Sequence, residues 1–412
     1  MTYERPHALT LRLRLNEPPS FMNVITGPRQ IGKSTMVRQV LANRNAMFIS
    51  VDNPLLADPF NENLTTQVIP GAEPTPEWLV HQWSIARNKA KNTPNGSPFI
   101  LAIDEIQKIN RWSEIIKGLW DADRAMDLNM HVILLGSSPW LLQQGLTESL
   151  AGRYELIQMS HWSYSEMQDA FNFSLDEYIY FGGYPGCANF IRDERRWRSY
   201  ILSSLIKPNI EKDILQMTRV DKPALLKAVF ELGCQYSGQI ISYTKLVGQL
   251  QDAGNTVTIA HYLDLLSRAG LLTGLPKYAG QKHRQRASSP KLIALNTGLI
   301  SALHSYSFTE ARADRSHWGR LVESVIGAHL CNTASDNCEI QYWREGSDEV
   351  DFIITSSHKI IALEVKSGQG YRQPKGLTGF IDRFKCNKAF IIGEGGISIS
   401  EFLSKPALFW LE

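Results

Sequence analysis

The fold of the N-terminal part of the chain is decided by Gly27-Pro28-Arg29-Gln30-Ile31-Gly32-Lys33-Ser34, with Thr35 directly after it. An apolar run at Met22–Thr26 precedes this stretch and helical spacing follows it, so the sequence predicts a strand, a glycine-rich loop and a helix. The glycines let consecutive backbone N–H groups curl around a phosphate at the positive end of the helix. The pattern G-x-x-x-x-G-K-[ST] therefore predicts an ATP-binding loop over Gly27–Thr35.

Individual side chains of this region have predicted roles in nucleotide chemistry. Lys33 is expected to reach the β- and γ-phosphates, and the Ser34 hydroxyl is expected to ligate Mg²⁺. Asp104 ends an apolar run at Phe99–Ile103, which places its carboxylate at the carboxyl edge of a strand. There it can bind Mg²⁺ through water, while Glu105 can orient the attacking water as a general base. The sequence therefore predicts ATP hydrolysis.

Two further features near this site have two interpretations each. The hydroxyls of Ser137 and Ser138 follow the apolar run His131–Leu135, where they could sense the γ-phosphate or cap a helix. Arg153 precedes a strand-like segment at Glu155–Gln158, where it could be a finger for a neighbouring subunit's γ-phosphate. The alternative for Arg153 is an ordinary surface or ion-pair arginine. A finger would require the chain to form a homo-oligomer.

Length and composition exclude several classes of protein. The chain has 412 residues with 43% hydrophobic and 20% charged residues, which is typical of globular proteins and predicts two to four domains. Its longest apolar runs are too short to span a bilayer, and its N-terminus lacks a signal peptide's apolar block, so we expect a cytoplasmic protein without a membrane partner. The five cysteines form no C-x-x-C pair, which argues against disulfides and zinc sites.

The middle of the chain changes from alternating strands and helices to mainly helical spacing. The alternation in the N-terminal part predicts a parallel α/β sheet, and Ser163–Arg219 is then mainly helical, with a turn at Phe181–Gly186. Three amphipathic stretches follow in Asp221–Leu271. Within Thr256–Gly270 the predicted buried face comprises Val257, Ile259, Tyr262, Leu263, Leu265 and Leu266. This order of elements predicts a helix-turn-helix with a wing.

The predicted wing is the candidate contact with DNA. Leu271–Ile300 has five basic residues and no acidic one, which is the pattern of contacts to a phosphate backbone. The five are Lys277, Lys282, Arg284, Arg286 and Lys291. From this turn we predict DNA contacts by Lys282, Arg284 and Arg286. A solvated basic loop, or a winged helix used only for packing, is the alternative.

A second candidate site lies in the last hundred residues. Glu323 falls on a predicted helix, Asp351 begins one apolar strand, and Glu364-Val365-Lys366 ends another. Alternation along that strand places Glu364 and Lys366 on one face. Glu323, Asp351 and Glu364 could ligate Mg²⁺ or Mn²⁺, and Lys366 could position the attacking water. The pattern resembles the E…D…ExK signature of PD-(D/E)xK nucleases, and a fold that binds DNA or protein without cutting is the alternative.

The chain as a whole resembles prokaryotic AAA-type ATPases that carry a C-terminal domain with a restriction-endonuclease-like core. Six segments carry the resemblance, together with the winged-helix region: Gly27–Thr35, Leu101–Ile106, Leu135–Ser138, Glu148–Arg153, Phe181–Pro185 and Tyr342–Arg344. The resemblance implies ATP and Mg²⁺ as ligands and a role connected with DNA.

Together these features predict an α/β multidomain protein. The expected order is an AAA-type P-loop ATPase core at 1–162, a helical lid at 163–219, a winged helix at 220–311 and a PD-(D/E)xK nuclease-like α/β domain at 312–412. The leading hypothesis is an ATP-dependent enzyme that binds and processes DNA, including branched or structured DNA. The alternative is a nucleotide-regulated scaffold or signalling ATPase whose C-terminal domain binds a partner without cleavage.

Overall fold

The computed structural model describes most of the chain as two compact units, residues 1–159 and 160–412. The residues described are 3–52, 74–93, 97–136, 146, 149–214, 222–250, 254–279, 288–335, 337–357, 359–368 and 375–412. The finer predicted boundaries at 162/163, 219/220 and 311/312 stay predictions.

A five-stranded parallel sheet forms the centre of the first unit, which confirms the predicted α/β class. Its strand order is β2-β3-β4-β1-β5, and every neighbouring pair runs parallel. The strands are β1 Met22–Thr26, β2 Ala46–Ser50, β3 Phe99–Asp104, β4 Met130–Gly136 and β5 Tyr154–Gln158. Strands β1, β3 and β4 are buried along their whole length, as expected for the middle of a parallel sheet. The carboxyl ends of β1 and β3 therefore share one edge.

Four α-helices of the first unit lie in the described ranges. They are α1 His7–Arg14, α2 Lys33–Leu41, α3 Pro76–Lys91 and α4 Trp112–Ala125. Helix α3 begins at a Thr75 cap followed by proline, a strong start signal. Its Trp83 indole donates to Asp123 Oδ2 at 2.7 Å, so the fully buried Asp123 fixes α3 to α4.

The second unit begins with helices, as the spacing predicted. They are α5 Tyr164–Phe171, α6 Leu175–Phe181 and α7 Glu194–Tyr200, followed by π-helical segments at Ile201–Ile206 and Asn209–Ile214. Helices α5 and α6 each begin with a capping box, formed by Ser163 with Glu166 and by Ser174 with Glu177. The glycine-rich turn follows α6 at Gly182.

Three helices and an antiparallel hairpin come next, in the order predicted for a winged helix. They are α8 Pro223–Gln235, α9 Tyr243–Gln249, α10 Thr256–Arg268, β6 Leu272–Leu275 and β7 Lys291–Ala294. The prediction that Val257 belongs to the buried face of α10 was wrong. Its side chain is 72% exposed, since it lies in the first turn and outside the buried stripe. The predicted DNA contacts Lys282, Arg284 and Arg286 lie outside the described residues, so the wing stays a prediction.

The C-terminal part has its own four-stranded sheet of order β11-β10-β9-β8. Its strands are β8 Glu339–Glu345, β9 Asp348–Ser356, β10 Lys359–Lys366 and β11 Lys388–Gly393. Strands β8, β9 and β10 pair antiparallel, and β11 pairs parallel to β10. The helices here and just before are α11 Thr297–Leu303, α12 Phe308–Ala313, α13 Arg315–Thr333, α14 Lys375–Phe384 and α15 Ile399–Leu403. None of the helices in the described ranges has the length and hydropathy needed to cross a bilayer.

Candidate nucleotide site and carboxylate cluster

The loop Gly27–Ser34 connects β1 to α2 with a backbone that only glycine adopts easily. Gly27 has φ +149°, and a Cβ there would lie 2.1 Å from the carbonyl oxygen of Met159. Gly32 has φ +87° and directly precedes the first residue of α2. The two glycines thus let the chain turn back tightly, so that the loop caps the N-terminus of α2, where backbone N–H groups favour an anion.

Lys33 is buried at the base of this loop, although it carries a charge. Its Nζ donates to the carbonyl oxygens of Gly27 at 2.8 Å and Pro28 at 2.7 Å. These neutral acceptors keep the ammonium at the loop. A phosphate oxygen would be a stronger acceptor for it, because its negative charge attracts the ammonium more strongly than a neutral carbonyl does.

The two predicted magnesium side chains meet at the carboxyl edge of the sheet. Ser34 Oγ, in the first turn of α2, donates to Asp104 Oδ2 at the end of β3 at 2.6 Å. Burial raises the pKa of Asp104, so a nearby cation would favour its ionised form. A hydroxyl and a carboxylate are oxygen donors of the kind Mg²⁺ prefers, and Mg²⁺ commonly takes its other ligands from phosphates and water. The residues therefore fit the predicted cation.

Glu105 is held by two neighbours that the sequence reasoning missed. Its backbone is left-handed, with φ +57°, at the point where β3 ends. Gln107 Nε2 donates to its Oε2 at 2.6 Å, and Lys108 Nζ lies 4.0 Å from the same oxygen while also pairing with Asp52. The only sequence signal was that Gln107 and Lys108 closely follow the acidic pair. These contacts hold the Glu105 carboxylate directly after the end of β3, where Asp104 bonds to Ser34.

Arg153 forms an ion pair, which is one of the two roles that the sequence left open. Its guanidinium contacts Asp121 of α4 with Nε at 2.8 Å and Nη2 at 3.0 Å. It directly precedes β5, and Tyr154 pairs with Met22 at the start of β1. The loop follows the other end of β1, about 13 Å away along the strand. A role at a nucleotide would therefore require a second copy of the chain. Ser137 and Ser138 lie outside the described residues.

The structure brings the residues of the second candidate site together in the second unit. Asp351 lies on β9 and accepts from the backbone N–H of Val365 on β10 at 2.8 Å. Lys366 Nζ donates to Glu364 Oε1 at 2.6 Å, on the face that the strand alternation predicted. The second oxygen of Glu364 is buried and has no hydrogen-bond partner among the described residues.

The inclusion of Lys291 in the basic wing was wrong. The sequence grouped it with the basic residues of the predicted wing, but its side chain is 0% exposed and lies among acidic residues. Its Nζ is 2.6 Å from Glu323 Oε1, 3.2 Å from Asp351 Oδ1 and 3.5 Å from Glu349 Oε1. The lysine is buried because β7 turns it inward and these carboxylates offset the cost of removing its charge from water.

The predicted metal ligands make other contacts in this structure. No group of three or more histidine, cysteine, aspartate or glutamate side chains in the described ranges is arranged to hold a metal ion. The predicted ligands Glu323, Asp351 and Glu364 instead bind Lys291, the Val365 amide and Lys366. The assignment of these three carboxylates as metal ligands stays a prediction.

Burial and mutual repulsion set the electrostatics of this cluster. Burial, then the charge of Asp351, raises the pKa of Glu323 to about 7 and that of Glu364 to about 7. Burial alone would lower the pKa of Lys291, but Asp351 and Glu323 outweigh it, so this pKa is held above its ordinary value. The ammonium therefore stays charged, and the site contains its own cation.

Comparisons with known proteins match three consecutive regions of the chain. Residues 20–168 match the family described as AAA domain, residues 172–310 match the domain of unknown function DUF8612, and residues 318–401 match DUF4143. Residues 20–168 are thus similar to an AAA domain. The other two families are defined without a function.

Relatives that match most of the chain include two uncharacterised bacterial proteins, and one solved structure is similar over most of its length. An uncharacterised protein of Mycobacterium tuberculosis is 27% identical over 371 residues, 88% of this chain and 73% of the relative. One of Haemophilus influenzae is 23% identical over 357 residues, 84% of this chain and 82% of the relative. The solved structure of a Walker-type ATPase of Pyrococcus abyssi has a TM-score of 0.51 and 15% identity, and the match covers 74% of this chain and 96% of that one. This last likeness concerns the fold alone.

Proposed function

We propose that the protein binds ATP with Mg²⁺ at the Gly27–Ser34 loop and hydrolyses it. One observation carries the proposal: the Ser34 hydroxyl and the Asp104 carboxylate are bonded at 2.6 Å directly beside the loop that holds Lys33. The match of residues 20–168 to the AAA domain supports it. The buried ammonium, hydroxyl and carboxylate in one place are the set of groups that ATP and Mg²⁺ require.

In this proposal each side chain acts on a different part of the reaction. The loop amides and the N-terminus of α2 hold the phosphates, and Lys33 exchanges its two carbonyl acceptors for phosphate oxygens. Ser34 and Asp104 hold Mg²⁺, which would neutralise charge on the phosphates. Glu105, fixed by Gln107, orients water for attack on the γ-phosphate.

The Ser34→Ala variant tests the magnesium part of this site. It removes a cation ligand and leaves the loop backbone and Lys33 intact. We therefore expect the ratio of ATP affinity in Mg²⁺ to ATP affinity in EDTA to be roughly tenfold smaller than in the wild type. Isothermal titration with ATP, in Mg²⁺ and in EDTA, measures the effect. The exposed Ser20 offers a control, and Ser20→Ala should behave as wild type. Equal Mg²⁺ dependence in Ser34→Ala and wild type would remove Ser34 from the site.

The position of Arg153 is compatible with a homo-oligomer. This arginine lies at the amino edge of its own sheet, away from its own loop, so we propose that it acts on the nucleotide of a neighbouring copy. The Asp121 ion pair would then hold the guanidinium ready at the surface, since Arg153 keeps 31% of its side chain exposed. The structural alternative is that the pair only fastens α4 to β5.

DNA is the proposed partner of the second unit. The order α8, α9, α10, β6, β7 and the basic composition between β6 and β7 support DNA contacts by Lys282, Arg284 and Arg286. The alternative partner is a protein, with ATP controlling a scaffold. The two alternatives differ in whether DNA stimulates ATP hydrolysis.

Reversing the charges of Lys282, Arg284 and Arg286 tests the DNA proposal. Each phosphate contact contributes about 0.9 to the slope of log K against log salt, so losing three should flatten that slope by about 2.7. Fluorescence anisotropy with duplex, forked and four-way DNA over a salt series measures it. A control with three exposed lysines of other regions, Lys91, Lys117 and Lys405, changed to glutamate has the same net charge. If the slope of log K against log salt flattens equally in both triple variants, the DNA contact is non-specific and the assignment of the wing is wrong.

A further inference from the structure

The carboxylate cluster of the second unit is built around one ammonium. Glu323 comes from α13, Glu349 and Asp351 come from β9, and Lys291 begins β7. Lys291 Nζ lies within 3.5 Å of an oxygen of each of these three acids and also donates to the backbone carbonyl oxygen of Asp351 at 3.3 Å. It also lies 5.0 Å from the ring centroid of Phe352, which covers its remaining side.

The chain elements around Lys291 hold it in this position. Strand β7 pairs with β6 at Leu275 and bridges to Ile240, so the lysine backbone is fastened on both sides. The Gly238 amide donates to the carbonyl oxygen of Leu292 at 2.7 Å, and Gly238 itself lies against the Glu323 side chain. The side chain has no exposed surface. A buried, fully contacted charge of this kind is a fixed part of the structure, unlike a mobile surface lysine.

The ammonium contacts the same oxygens that a divalent metal would use. A metal between α13 and β9 would bind Glu323 Oε1 and Asp351 Oδ1, which are the closest carboxylate oxygens to Lys291 Nζ. Among the described residues, the ion pairs of Glu323, Glu349, Asp351 and Glu364 are made with Lys291 and Lys366, and a divalent cation would balance the same negative charge. The two cations cannot occupy one position at the same time.

We infer that Lys291 is a built-in cation that takes the place of a divalent metal in this cluster and excludes the metal while it is seated. The consequence is a C-terminal domain that has the acidic residues of a metal site but does not perform metal-dependent cleavage in this state. Such a domain binds its partner and leaves the phosphodiester intact. The inference does not depend on the proposed ATP hydrolysis, because the whole cluster lies within residues 160–412.

Metal binding by the Lys291→Met variant tests the inference. Methionine keeps the length of the side chain and removes its charge, which leaves Glu323, Asp351 and Glu349 without their shared cation. We expect the full-length variant to bind Mn²⁺ at least about tenfold more tightly than the wild type in calorimetric titrations without nucleotide. The Lys291→Met/Asp351→Asn double variant should lose that gain, which distinguishes this cluster from the Ser34–Asp104 site.

Thermal unfolding provides the second measurement. Removing the ammonium leaves buried carboxylates unpaired, so Lys291→Met should melt at a lower temperature than the wild type, and Mn²⁺ should restore the loss selectively in the variant. A wild type that binds Mn²⁺ as tightly as the variant, through Asp351, would overturn the inference. The inference would also be overturned if Lys291→Met bound Mn²⁺ no more tightly than the wild type and was not stabilised by Mn²⁺. A variant that stays unfolded in the presence of Mn²⁺ counts as this outcome.

Discussion

The Glu105→Gln variant is expected to bind ATP as tightly as the wild type and to hydrolyse it at least about 100-fold more slowly. Glutamine keeps the size of the side chain and the contact with Gln107, which donates to Glu105 Oε2 at 2.6 Å. It loses the negative charge that draws a proton from the attacking water. The Lys33→Ala variant should differ, because it removes the ammonium that faces the phosphates and so reduces both binding and hydrolysis.

The two variants together separate nucleotide binding from chemistry. Equilibrium binding of a fluorescent ATP analogue and phosphate release should be measured on the same preparations. Glu114, on the exposed surface of α4, offers a matched control, and Glu114→Gln should keep wild-type values for both. Hydrolysis by Glu105→Gln at the wild-type rate would show that another group orients the water.

The Arg153→Ala variant is expected to reduce hydrolysis by about 1,000-fold if Arg153 acts in a neighbouring copy, since arginine fingers contribute factors of this size. Its own loop, Lys33 and Glu105 remain intact, so ATP binding should persist. Mixing Arg153→Ala with Lys33→Ala chains should restore part of the activity, because the second chain supplies the arginine and the first supplies a working loop.

The partner of Arg153 in the structure provides the control. Asp121→Asn breaks the same ion pair while leaving the guanidinium in place. If the arginine is a finger, Asp121→Asn should retain most of the activity that Arg153→Ala loses. Equal losses in the two variants, together with no recovery on mixing, would mean that the pair only fastens α4 to β5.

In the first unit, the sequence predicted those elements whose hydrophobic pattern and functional residues lie in one contiguous segment. Strand β1, the glycine loop and α2 follow from one contiguous stretch, and the acidic end of β3 follows from an apolar run. Strand β2, Ala46–Ser50, was missed, because five residues without alternation or a turn signal have no period to recognise. Its strand character comes from pairing with β3, which is a tertiary effect.

The second unit was predictable in its elements but not in its electrostatics. Each predicted C-terminal strand exists, and Glu364 and Lys366 share a face as alternation required. The position of Lys291 could not be predicted, because the sequence places it 32 residues before Glu323 and 60 before Asp351, in a segment with four other basic residues. Only the packing of β7 beside α13 and β9 turns a wing lysine into the cation of the cluster.

The most direct measurement of the central claim is a single-turnover assay with excess purified protein, a trace of labelled ATP and Mg²⁺. We expect the wild type to convert the bound ATP to ADP and Lys33→Ala to leave it intact, while a control with the exposed Lys117 changed to alanine should behave as wild type. ATP that stays intact with the wild type, or ADP that forms equally fast with Lys33→Ala, would contradict the assignment of this loop as an ATP-hydrolysing site.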